Sequence, residues 1–191
     1  MPKIVDHEER RAAIAIGVIT VMAEHGIAGV SLRTVARAAG ASMGSVQHYF
    51  ATKAELVRLA CSLFVEKATQ QHRATEDAPP EERIRNLLML GIPGAAEQRT
   101  GTAIWHEFVI AGVNDAAISD IITNAWQQRR LDLIEQLKRI DTLRRASDGE
   151  LADLLAATAD GLAVRAILGD LTRDQAHDAL LTQLAALNVS D

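Results

Sequence analysis

Two helical segments, each barely two turns long, are separated in this chain by only three residues: Leu32 to Ala39 and Met43 to His48, with Gly40-Ala41-Ser42 between them. A link this short cannot lay two helices side by side, so they must cross steeply. Ser31 supplies a hydroxyl to cap the first segment, and Gly40 ends it. Thr52-Lys53-Ala54-Glu55 has the spacing of a capping box, in which the threonine satisfies one free amide and the glutamate reaches back to another. Leu56, Leu59, Ala60, Leu63 and Phe64 then repeat at helical intervals, so a long helix runs on to about Gln71. Residues 31 to 56 therefore have helix-turn-helix organisation.

The flanking sequence is helical as well. Ile14, Val18, Val21 and Met22 form one stripe of a helix over Asp6 to His25, which Gly26 stops. Pro80-Glu81-Glu82 is a favourable helix opening, and that helix ends near Gly91. Further helices are predicted over about 95–111, 115–139, 149–168 and 173–187, the last two opened by the capping boxes Ser147 to Glu150 and Thr172 to Gln175. With only 3% aromatic residues and few alternating β-branched runs, the expected fold is all-α with about nine helices. No apolar run approaches the roughly 18 residues of a membrane span, and no N-terminal stretch has the order of a signal peptide. The single cysteine, Cys61, can form neither an internal disulfide nor a CxxC zinc knuckle. A cytoplasmic protein is expected.

The second short helix opens with small polar residues, which suits entry into a major groove about 12 Å wide. Ser42, Met43, Gly44, Ser45, Gln47 and His48 are the candidates for base contact. Gly44 admits a close approach, Gln47 donates and accepts in one plane as adenine requires, and Met43 suits a thymine methyl. Arg33, Thr34, His48, Tyr49 and Lys53 are candidates for flanking phosphates. The net charge of −5 argues against nucleic acid until it is divided along the chain. Residues 1–58 carry seven Lys/Arg against five Asp/Glu, or +2, and residues 59–191 carry thirteen against twenty, or −7. The reader is mildly basic, and the negative charge sits in the remainder.

These residues resemble the N-terminal domain of the TetR family of bacterial transcriptional repressors: Gly40, Ser42, Gly44, Tyr49, Phe50, Lys53 and Leu56 match its motif in register. The resemblance implies that Tyr49 and Lys53 grip phosphates, that Phe50 packs in the core and that the helix from Met43 reads bases. Two positions depart from the pattern: Met43 stands where lysine is frequent, and Gln47 where the first tyrosine is usual. Further on, Ile104-Trp105-His106-Glu107-Phe108 and the segment from Asp160 to Leu168 resemble the C-terminal domain of the BetI-like branch of that family. This implies a homodimer in which the last two helices pair with their symmetry mates through the stripes Leu151, Leu155, Thr158, Leu162 and His177, Leu180, Leu181, Leu184. Two recognition helices would then lie about 34 Å apart over a near-palindromic operator.

The expected division is a DNA-binding domain over 1–58 and an effector-binding and dimerisation domain over 59–191. In the latter, Met89, Trp105, Phe108 and Trp126 are expected around an effector cavity, with His106, Glu107, Asn114 and Arg130 as polar anchors. Scarce aromatics weigh against a choline-type cage and favour an aliphatic or weakly polar effector. The alternatives are a helical-bundle enzyme and an adaptor that does not bind DNA. The enzyme is disfavoured because both His-Glu pairs, His7-Glu8 and His106-Glu107, lack the second histidine of HExxH, and no GxSxG or Walker loop is present. No cofactor and no metal are expected. The adaptor leaves the basic N-terminal module unexplained.

Overall fold

The helices expected from periodicity and caps are all present in the computed structural model, which describes residues 3–73, 75–140 and 146–187. Among the described residues there are nine α-helices, one short 3-10 turn over Ile27–Gly29 and no strand. The helices are α1 Lys3–His25, α2 Leu32–Ala38, α3 Met43–Tyr49, α4 Lys53–Arg73, α5 Pro80–Met89, α6 Ala96–Gly112, α7 Ala116–Lys138, α8 Asp148–Ile167 and α9 Arg173–Leu187. Residues 141–145, between α7 and α8, lie outside the described residues.

Side-chain caps set several of the starts. Ser147 accepts from the Glu150 amide while Glu150 accepts from the Ser147 amide at 2.9 Å, and Thr172 and Gln175 exchange the same pair of bonds. At α4 the Thr52 hydroxyl accepts from the Glu55 amide at 3.2 Å, but the Glu55 carboxylate takes the amide of Ala51, one residue further back than the motif implies. Each bond satisfies a donor that the first helical turn leaves without a partner.

The chain packs as two units, each with its own core. The first comprises residues 1–69 and 104–122, and the second residues 70–103 and 123–191. Packing thus divides the chain differently from charge, because the later part of α6 and the start of α7 complete the first core with Ile104, Phe108, Ile118 and Ile122. In that unit α1 and α2 approach so closely that a Cβ on Gly17 would lie 2.9 Å from the Ala39 Cβ and 3.1 Å from its amide nitrogen. Val46, fully buried, and Phe50 fasten α3 to the same core.

The second core is aliphatic, built from Ile84, Leu87, Leu88, Leu133, Leu137, Leu151 and Leu155 with smaller neighbours. Arginines close its periphery: Arg129 donates to both oxygens of Asp160 at 2.8 Å, Arg130 pairs with Asp153, Arg99 donates to the Ile167 carbonyl and Arg173 to that of Ile92. This packing revises the expected dimer stripe. Leu151, Leu155, Leu162 and Leu180 are only 1, 0, 7 and 3% exposed and line the unit's own core, while Thr158, His177 and Leu184 are half-buried. Of the eight, only Leu181 is largely open. Helical period locates an apolar face but does not say which element covers it.

Candidate nucleic-acid interface

The turn before α3 is made by Gly40, whose φ of 60° lies in the left-handed region that glycine enters freely. Ser42 then caps α3, its hydroxyl accepting from the Ser45 amide at 3.1 Å. Of the seven α3 residues only Val46 is buried. Met43, Gly44, Gln47 and His48 are exposed, and a Cβ on Gly44 would meet nothing within 4 Å. The helix therefore has one inward anchor and an outward face of small or planar polar groups, as groove reading needs.

Tyr49 is half-buried at the end of α3. Its ring meets the edge of His7 from α1 at 5.4 Å and of His48 at 5.2 Å, and lies 6.4 Å from Phe50, over which the Arg11 guanidinium sits at 5.1 Å. These contacts restrict the tyrosine to few rotamers, so its hydroxyl meets a ligand with little entropy left to lose. Lys53, exposed at the first position of α4, donates to the Ala28 carbonyl over 3.4 Å, a long contact that a phosphate can displace. Arg33 is exposed on α2.

Two candidates are already committed within the fold. The Thr34 hydroxyl accepts from the Ser31 amide at 2.9 Å and faces the Gly29 and Ser31 carbonyls, completing a capping box at α2. The Ser42 hydroxyl is held by its cap. Both therefore act on the position of the two short helices, through backbone groups that the first turn of each leaves unpaired.

The residues expected around an effector are divided between the two units. Trp105 stacks on Phe64 and the fully buried Phe108 meets Phe64 edge-on, all in the first unit's core, whereas Met89 belongs to the core of the second. Trp126 lines an open cleft of about 250 Å³ between α7 and α8, with Arg129, Arg130, Asp153 and Asp160 on its walls. Two expected anchors are taken: Arg130 by Asp153, and Glu107 by the backbone amide of Ile27 at 2.8 Å. Sequence reasoning missed Arg58 and Asp115, whose two-pronged pair at 3.0 and 2.9 Å ties α4 to the turn before α7. Fifty-seven positions separate them, and no local motif marks such a pair.

Residues 19–60 match the model of bacterial regulatory proteins of the tetR family, and residues 80–188 that of the BetI-type transcriptional repressor C-terminal domain. The chain is 31% identical to the HTH-type transcriptional regulator PksA of Bacillus subtilis, over 100% of this chain and 96% of that one. Among solved structures it resembles a transcriptional regulator from Rhodococcus sp. Rha1, at 27% identity and a TM-score of 0.83, covering 93% of this chain and 95% of the other. It also shares its fold with a transcriptional regulator from Saccharomonospora viridis solved in complex with choline, at 21% identity and a TM-score of 0.85, covering 96% and 100%.

Proposed function

Because this chain belongs to the TetR family of bacterial regulatory proteins, whose members repress transcription by binding DNA, we propose that it acts as a homodimer on a near-palindromic operator and is released by a small effector. The observation that carries the reading is α3 itself: buried only at Val46, open at Met43, Gly44, Gln47 and His48, and flanked by Tyr49 and Lys53. In this reading Gln47 reads an adenine edge and Met43 packs on a thymine methyl. Arg33, Tyr49 and Lys53 hold phosphates, while Ser42 and Thr34 fix the helices that present them. Functionally, residues 1–58 are the reader, and residues 59–191 bind the effector and the second copy.

The dimer surface is proposed on the outer face of α8. Leu154, Ala157, Gly161, Val164 and Leu168 are all exposed, at alternating intervals of three and four residues. That is the spacing of a helix–helix seam, and the small residues at its middle admit a close partner. Leu154, Val164 and Leu168 are 46, 39 and 78% exposed, and Leu181 of α9, 46% exposed, extends the apolar area. A twofold axis across this seam supports two recognition helices one turn of DNA apart. The choline bound by the Saccharomonospora protein is not adopted as the effector here, since the aromatic residues a cation cage requires lie mostly in the first unit's core.

The test is selection of duplexes from a randomised pool by the full-length protein, followed by footprinting. The reading expects an inverted repeat protected at two patches about one helical turn apart. Recovery of no common sequence, or of a single half-site protected once, would contradict it.

A further inference from the structure

Arg83, near the start of α5, is only 6% exposed. A guanidinium carries five N–H donors and has no acceptor. Its Nη2 lies 3.0 Å from Nε2 of His72, at the end of α4. Since arginine can only donate, His72 is the acceptor, a neutral ring with its proton on Nδ1. Burial first, and the Arg83 cation second, hold the His72 pKa below the usual histidine value, against the opposite pull of Asp132 and Glu76. Asp132 lies 3.5 Å from the same Nε2, which has no proton to give it, so it balances charge without forming a hydrogen bond. Arg83 Nε, with one N–H, and Nη1, with two, have no hydrogen-bond partner among the described residues. Three of five donors on a buried cation are left without an acceptor, an arrangement that is costly in a folded core. Arg99, Arg129, Arg130 and Arg173 of the same unit all donate to carboxylates or carbonyls, and of these only Arg129, at Nε, also leaves a buried nitrogen without a partner among the described residues.

We propose that Arg83 is the anchor for the acidic group of the effector, and that this effector is an aliphatic monocarboxylate. The proposal rests on the reading that residues 59–191 take an effector, and it adds the ligand's chemistry. A carboxylate supplies the acceptors that Arg83 lacks, with the charge and planarity a guanidinium matches. A single negative charge fits better than two, because Asp132 and Glu76 already place negative potential beside His72. The body of the ligand is aliphatic because the core that Arg83 adjoins in sequence, through Ile84, Leu87 and Leu88, is composed of isoleucine, leucine, methionine and alanine. The expectation of an apolar or weakly polar effector is thereby sharpened to an apolar chain with one charged end.

The experiment follows thermal melting of the full-length protein without DNA. Acetate, butyrate, hexanoate and octanoate are the probes, with 1-octanol and octanamide as neutral matches. Wild type, Arg83→Met and, as a control on the same helix, Arg85→Met are compared. Octanoate or hexanoate raises the wild-type Tm with concentration, as a ligand of the native state must, and the neutral matches do not. R83M melts at or above wild type, because an unpaired charge is replaced by an apolar chain of similar length, and its response to the acids weakens on the order of tenfold or more. R85M responds like wild type. The proposal is overturned if no acid in the series raises the wild-type Tm, if R83M responds as wild type does, or if R83M melts far below wild type, which would mark Arg83 as structural. Operator binding measured on the same samples separates the two readings. No operator binding by the acid-free protein, with the acid response intact, contradicts the regulator and supports the anchor, whereas operator binding with no acid response contradicts the anchor alone.

Discussion

The carboxylate of Glu107, midway along α6, accepts a hydrogen bond from the backbone amide of Ile27 at 2.8 Å and so fastens α6 to the turn between α1 and α2. The fit is close: Gly26 has φ 65°, and a Cβ there would lie 2.7 Å from Glu107 Oε1. Glu107→Ala should lower stability by about 1.5–3 kcal/mol, the range for a hydrogen bond to a charged group. Glu107→Gln should recover much of that loss, since an amide oxygen still accepts. Gly26→Ala should be at least as damaging as Glu107→Ala, because it adds left-handed backbone strain to the collision. Chemical denaturation of the four proteins checks the order, and an undiminished stability of Glu107→Ala would refute the tie.

Asp115 has two tasks, pairing with Arg58 and accepting from the amides of Ala117 and Ile118 at the start of α7. Burial is the largest influence and raises its pKa, but the Arg58 hydrogen bond and charge together with the two amides outweigh it, and the carboxyl sits below its usual value. A depressed carboxylate pKa contributes stability above the unfolded-state value, near 3.9, and loses it as pH falls through the folded-state value. Asp115→Asn should therefore cost about 1 kcal/mol at pH 7, Arg58 being half in solvent. The gap from wild type should close below about pH 4. Urea titrations at pH 7 and pH 3 measure both, and a gap that widened in acid would be the wrong sign.

Cys61 lies fully buried on α4, and burial first, with the Asp115 carboxylate second, pushes its thiol up to about 12. Because the thiolate is the reactive form, the native protein should resist alkylation by iodoacetamide at pH 8 and react once unfolded in denaturant. Rapid labelling of the native protein would show that α4 opens locally around this residue.

Two glycines with the same propensity should behave oppositely. Gly17→Ala gains helix propensity but drives a methyl into Ala39 and the α2 backbone, which cannot move aside cheaply, so it should destabilise. Gly161→Ala has open space around it within the protomer, so the isolated chain should gain up to about 1 kcal/mol. The proposed seam places Gly161 against a partner copy, so the same change should weaken the dimer. Sedimentation at a series of concentrations tests this, and dimerisation unaffected by Gly161→Ala would move the interface elsewhere.

The helix boundaries were legible because their signals are local: Ser147 and Glu150 stand three residues apart and bond as the motif requires. Gly40 was readable for the same reason, since a turn that short needs a left-handed residue. Leu151, Leu155 and Leu180 show where local signals stop, because an apolar stripe looks the same whether its own chain or a second copy covers it. Thr34 reads in sequence as a phosphate candidate, and its hydroxyl forms half of a capping box with Ser31, a role that depends on the pair and not on either residue alone. Arg83, next to Glu81 and Glu82 at a helix opening, reads in sequence as one more solvated charge. Its burial depends on the fold around it and not on its neighbours in the chain.

That α3 and its flanks read DNA is tested by the affinity of the full-length Tyr49→Phe/Lys53→Met protein for the selected operator at fixed salt. Both changes keep the packing of the ring and the aliphatic stem while removing the phenolic hydroxyl and the ammonium. Affinity should fall at least about tenfold, with a salt dependence shallower by roughly one ion for each lysine removed per protomer and an unchanged Tm. Equal affinity and an equal salt slope in the variant and the wild type would contradict it.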